Sequence, residues 1–202
     1  MKTHQPVMDV GTLPTVVFGR RGITWWGTVG FMTIEGATLV VCAVSYLYLR
    51  KNHHDWPPEP SRLPSLLLPT ISALFLALTN IPVRRLHHAT RRMDKGAVQR
   101  GLLLLGTLAT VAVAIRVFDF RELNVHWDTN AYASAAWLTL AFHSTLLVFE
   151  MIETWVFVAL FWLGPVEGKH FVDTEDNCVY WYFMSLAWLP IYALLYLSPR
   201  FL

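Results

Sequence analysis

Apolar residues run along this chain in five long stretches, Trp26–Leu49, Leu63–Val83, Gly101–Phe118, Ala133–Leu163 and Tyr180–Leu197, with short polar segments between them. Most are near the ~20 residues that an α-helix needs to cross a ~30 Å hydrocarbon layer at ~1.5 Å per residue. The pattern predicts an all-α integral membrane bundle of about five transmembrane helices. The fourth stretch is too long for an upright helix, which predicts tilt or projection from the bilayer. Pro57, Pro58 and Pro60 mark the first connection, and Pro64 is expected to open the second helix. Pro69 and Pro190 fall within spans, where neighbouring groups can tolerate them. No linker separates two cores, so residues 25–202 form one expected membrane domain behind a cytoplasmic amino-terminal segment, residues 1–24.

Composition agrees with this pattern. Only 15% of the residues are charged, against about 25% in soluble domains. The formal net charge of +2 gives no reason to expect a nucleic-acid partner. Cys42 and Cys178 are too few for a disulfide framework or a metal knuckle. The first 25 residues lack a compact apolar stretch ending in small residues, so no cleavable signal is expected. Lys2, Arg20, Arg21, Lys169 and six basic residues within Arg84–Arg100 fall on one side of the predicted bundle. Arg50, Lys51, Arg62, Arg116, Arg121 and Arg200 fall on the other. This excess predicts a cytoplasmic amino terminus and an external carboxyl terminus.

Ionisable groups inside apolar runs are the candidates for chemistry. Glu35 lies deep in the first stretch, where an ionised, lipid-facing carboxylate costs several kcal/mol. It is therefore neutral, paired, or turned toward protein or water. Two readings stay open: a protonated carboxyl bonded to a neighbouring helix, or a group with a role in proton handling or lipid-linked regulation. On the fourth stretch Glu150 and Glu153 share a helix face, with His143 two turns earlier on nearly the same stripe. Counting along the helices puts Glu150 and Glu153 about 15–20 Å from the cytoplasmic end, near the level of Glu35. Three carboxyls at one depth suit proton holding, and separate neutral hydrogen bonds are the alternative. A carboxylate-bridged metal site needs Glu-x-x-His motifs from two helices; Glu150-x-x-Glu153 has no such complement. His143 is the one clear intramembrane histidine, so no haem or other redox cofactor is expected on this chain. His53, His54, His87 and His88 lie beside charged residues in connections. Arg84, Arg85, Arg91 and Arg92 are expected to meet phospholipid head groups, with protein docking as the alternative. Trp25, Trp26, Trp56, Trp127, Trp162 and Trp181 are placed as interfacial anchors.

The run Trp26-Gly27, Phe31, Glu35 and Tyr46-Leu47-Tyr48-Leu49-Arg50, followed by Trp56-Pro57-Pro58, resembles a helix and loop of subunit III of haem–copper cytochrome c oxidases. The resemblance continues through Arg116-Val117-Phe118-Asp119-Phe120, where the family commonly has Gln-x-x-Glu-Tyr. It extends to Asn130-Ala131-Tyr132-Ala133-Ser134, His143, Tyr180-Trp181-Tyr182-Phe183, Trp188-Leu189 and Leu195-Tyr196-Leu197-Ser198-Pro199. It implies the short, five-helix bacterial form in a plasma membrane. It also implies a companion that supports assembly, lipid binding and proton uptake, with oxidase subunits I and II as partners. Haem and copper would reside in those partners, with phospholipid bound here.

Some positions depart from the family pattern. Ser144 and Leu146 replace a glycine and the second histidine of Gly-x-His-Gly-x-His-Val. Tyr182 and Ser185 stand where the family has the His and Asp of Tyr-Trp-His-Phe-Val-Asp. These departures keep a second reading open, a subunit III-like protein associated with nitric oxide reductase. A transporter would predict inverted repeats or interrupted helices, and no convincing repeat is present.

Overall fold

The computed structural model describes residues 21–201; Lys2, Arg20 and most of the 1–24 segment lie outside them. Five helices are long and apolar enough to cross a membrane, so this is a multi-pass membrane protein. They are α1 (Ile23–Lys51), α2 (Leu67–Arg91), α3 (Lys95–Arg121), α4 (Ala131–Leu163) and α5 (Gly168–Tyr192). The last continues through a π-helical stretch, Ala193–Leu197, into the short α6, Ser198–Phe201.

The helices outrun the apolar stretches at their polar ends. Helix α2 begins at Leu67 rather than at Pro64, with Pro69 in its first turn, where a missing N–H leaves no helical bond unmade. It then runs through Arg84, Arg85, His87 and His88 to Arg91. Helix α5 begins at Gly168, well before Tyr180. The cause is local: the Glu167 side chain caps the third helical N–H, and Glu167 N–H donates to His170 Nδ1 at 3.0 Å. The polar run Gly168–Asn177 is thereby helical, and Phe171, Val172 and Thr174 turn inward.

Helix α2 packs against α3 and α5, α3 against α4, and α4 closes onto α5. Helix α1 rests outside on α4 and α5. It buries only Glu35, Leu39, Cys42 and Tyr46, one narrow stripe at helical spacing. Hydrogen bonds tie the elements together at each end. At one end Arg91 donates to Glu175 at 2.9 Å and Gln99 to the Phe161 carbonyl at 2.8 Å. At the other, Ser65 N–H donates to the Glu122 carbonyl at 2.8 Å, and Asn124 and Arg200 donate to the Leu63 and Pro64 carbonyls. Asn124 holds φ 55° there, a left-handed turn that asparagine tolerates.

Trp26, Trp127 and Trp162 are exposed, as interfacial anchors would be. Trp181 is different. It is wholly buried between α5 and α2 and donates to Thr79 Oγ1 at 2.9 Å.

Candidate functional site

Parallel helices α1 and α5 start at the same end of the bundle. Glu35 and Tyr180 each lie about 18 Å along them, and Tyr180 Oη donates to Glu35 Oε2 at 2.6 Å. Antiparallel α4 brings Glu150 to that level, about 20 Å back from Leu163. Glu150 is 1% exposed and accepts from Asn177 Nδ2 at 2.8 Å. The same nitrogen lies 3.5 Å from Thr154 Oγ1. A cleft of about 290 Å³ opens among the three helices, lined by Thr28, Glu150, Glu153, Asp176, Asn177 and Tyr180 with Gly27, Phe31 and Phe149. Gly27 leaves its wall open, since a Cβ there would meet nothing within 4 Å. Glu153 stands exposed on the rim. None of the lining residues is basic among the described residues. The cluster is rich in acceptors and poor in donors, with a hydroxyl between cleft and Glu35. Carboxyl and phenol groups so placed can hold a proton.

His143 belongs to a separate cluster. It faces Arg116 of α3 and Met184 of α5, two turns along α4 from Glu150. Arg116 Nη1 donates to Asp119 Oδ2 at 3.0 Å, and Ser72 Oγ donates to the same oxygen at 2.8 Å. Arg116 Nη2 lies 3.5 Å from His143 Nδ1, and His143 Nε2 lies 3.1 Å from the Met184 carbonyl. A guanidinium can only donate and a carbonyl can only accept. The imidazole therefore accepts at Nδ1 and carries its proton on Nε2. Trp188 lies 3.6 Å beneath the guanidinium carbon, a cation–π contact in a dry setting. From the π-helical stretch, Tyr196 Oη donates to the Asp119 carbonyl at 2.9 Å. Arg116 is only 3% exposed and Asp119 wholly buried. Sequence reasoning had placed Arg116 among the external flanking charges. The clue available was its spacing, three residues before an acid on one helix face.

No family model matches this chain. A protein of Synechocystis sp. named cytochrome c oxidase subunit 3 is 23% identical over 184 residues, 89% of this chain and 77% of its own length. One of Thermostichus vulcanus with the same name is 24% identical over 179 residues, 87% of each chain. The chain is a homologue of cytochrome c oxidase subunit 3.

The residues that carried the likeness to subunit 3 meet in space. Trp56, from the first connection, packs edge-on to Tyr46 of α1 at 5.2 Å and to Tyr132 of α4 at 5.0 Å. Its Nε1 donates to Tyr46 Oη at 3.2 Å. Asn130 caps α4 at Ala133 N–H and donates to Ser61 Oγ, fixing that connection across the bundle end. The two positions that depart from the subunit 3 pattern on α5 also separate. Ser185 donates to Asn80 Oδ1 at 2.9 Å, whereas Tyr182 borders a groove of about 700 Å³. Arg84, Arg85, His87, His88 and Arg91 form the basic wall of that groove. Arg92 does not line it and caps α2 at the exposed end. Among the described residues no three His, Cys, Asp or Glu side chains are grouped to hold a metal ion. Asp176 and Asn177 escaped sequence reasoning, because they precede the apolar run that marked the fifth helix.

Proposed function

We propose that this chain is an accessory, non-redox subunit of a proton-pumping haem–copper terminal oxidase in a bacterial plasma membrane. The observation that carries this reading is the relationship to two proteins named cytochrome c oxidase subunit 3 over most of the chain. Subunits I and II of the oxidase are its partners and hold the haem and copper. The amino terminus is cytoplasmic and the carboxyl terminus external. The excess of Lys and Arg supports this orientation, and burial of Arg116 removes one charge from the external count. Phospholipid fits two surfaces. Head groups suit Arg84, Arg85 and Arg91, and acyl chains suit an apolar groove of about 360 Å³ between α1 and α5, floored by Gly36, Leu39 and Ile191. The Glu35–Tyr180 pair is the proton-handling group, on the side from which protons are taken up.

A tagged chain extracted in mild detergent is expected to bring haem absorbance with it. Purification alone from a membrane that expresses the oxidase counts against the reading. Glu35→Gln is expected to impair sustained pumping or turnover more than assembly; unchanged proton stoichiometry and turnover lifetime would remove Glu35 from the proposal.

A further inference from the structure

We propose that Glu150 and Asn177 form a buried proton-binding site, a carboxylic acid–amide pair that carries one proton. The inference rests on reading the cluster of α1, α4 and α5 as proton-handling, and it adds a second site beside the Glu35–Tyr180 pair.

Two oxygens carry the argument. Glu150 Oε1 accepts from Asn177 Nδ2 at 2.8 Å. Glu150 Oε2 and Asn177 Oδ1 are buried and have no hydrogen-bond partner among the described residues. Their parent side chains are 1% and 2% exposed. Both oxygens are acceptors when Glu150 is ionised, and buried polar atoms of native proteins are rarely left unpaired. Tyr180 Oη is given to Glu35 and Asn177 Nδ2 to Glu150, while Thr154 Oγ1 lies 3.5 Å from Asn177 Nδ2 as its second acceptor.

A single proton satisfies both oxygens. Bound to Oε2, it turns that oxygen into a donor. The terminal torsions of glutamate and asparagine are soft, and the two planar groups are already joined along one edge. The O–H then closes a second bond to Asn177 Oδ1, completing a cyclic pair. No covalent bond but the new O–H is made, none is broken on loading, and release returns the proton to water in the cleft.

Glu35 faces the pair from α1, Glu153 lies on α4, and Asp176, Cys178 and Tyr180 come from α5, while Glu175 of α5 is held by Arg91 and His87 of α2. No cationic residue lines the cleft among the described residues. Glu153, exposed on the rim, and Asp176 line the route assigned to the proton. The partner given to Glu150 is thus an amide on another helix, not its sequence neighbour Glu153.

Infrared spectroscopy of the lipid-reconstituted complex tests this, reading the protonated-carboxyl C=O band in wild type, Glu150→Gln, Asn177→Leu and Glu35→Gln. In Glu150→Gln the new side-chain amide donates to Asn177 Oδ1 and accepts from Nδ2 without a proton, so this variant keeps the fold. One band is expected to vanish in Glu150→Gln, persist in Glu35→Gln and shift in Asn177→Leu. An unchanged set of bands in Glu150→Gln overturns the proposal, as does a band indifferent to Asn177→Leu.

If the chain purifies without haem-bearing subunits, the accessory-subunit reading fails, and the same spectra on the chain in lipid still decide the proton site.

Discussion

The two buried polar clusters answer the same problem in opposite ways. Around Arg116 donors and acceptors are mixed: cation meets anion, the imidazole accepts from one side and donates to the other, and an indole covers the guanidinium. Its unpaired atoms are of both kinds, the donors Arg116 Nε and Trp188 Nε1 and the acceptor Asp119 Oδ1. Around Glu150 the unpaired atoms are all oxygens of carboxyls and an amide. Carboxyls and an amide crowd a cleft, acceptors outnumber donors, and the imbalance opens toward one end of the bundle. A balanced network locks four helices in register. An unbalanced one must exchange something small with its surroundings. Where polar groups are buried in a membrane helix, the count of donors against acceptors thus separates a brace from a working site.

Several substitutions would break or sharpen that contrast. The largest effect is expected from Asp119→Leu, which strands a buried guanidinium and should cost about 3–5 kcal/mol in detergent unfolding. Adding Arg116→Met should recover most of it, because replacing a whole buried pair is far milder than halving it. Asn177→Leu removes the donor to Glu150 and should cost about 1–3 kcal/mol. Tyr180→Phe loses one hydrogen bond, about 0.5–1.5 kcal/mol, while turnover of the assembled complex falls by more than that loss in stability accounts for. If both changes slow turnover only as far as they destabilise, the cleft is a brace as well. Arg84→Ala with Arg85→Ala should leave stability within about 0.5 kcal/mol and reduce the phospholipid that copurifies, measured as phosphorus per chain. The smallest effect belongs to the surface. Asp128 accepts from His126 Nδ1 at 2.5 Å, and this bond holds its carboxyl below the usual range. Its contribution is present above the unfolded value near ~3.9 and fades as acid titrates it. Asp128→Asn should show no measurable change in thermal midpoint at neutral pH.

The spans were legible because a membrane helix announces itself by length and hydropathy. Their ends were not, because helix continuation into water depends on caps rather than on apolar content. The Glu167–His170 cap and the polar run after it show why α5 started earlier than its hydrophobic stretch. That one boundary also hid Asp176 and Asn177. The depth of Glu35 followed from counting residues at a fixed rise, but its donor Tyr180 lies far along the chain, and only tertiary packing pairs them. Arg116 was misread because a cation five residues from a helix end usually escapes to water. Asp119, Ser72 and Trp188 hold it inside instead.

The thin seam of α1 bears on how such a bundle can change over generations. A helix fixed by four buried side chains makes its main contacts with α4 and α5, away from α2 and α3. Its outer face, with Ile34, Val40, Val41 and Val44 exposed, is a ready attachment edge. Extra helices can be gained or lost beside α1 without rewriting the contacts within α2–α5.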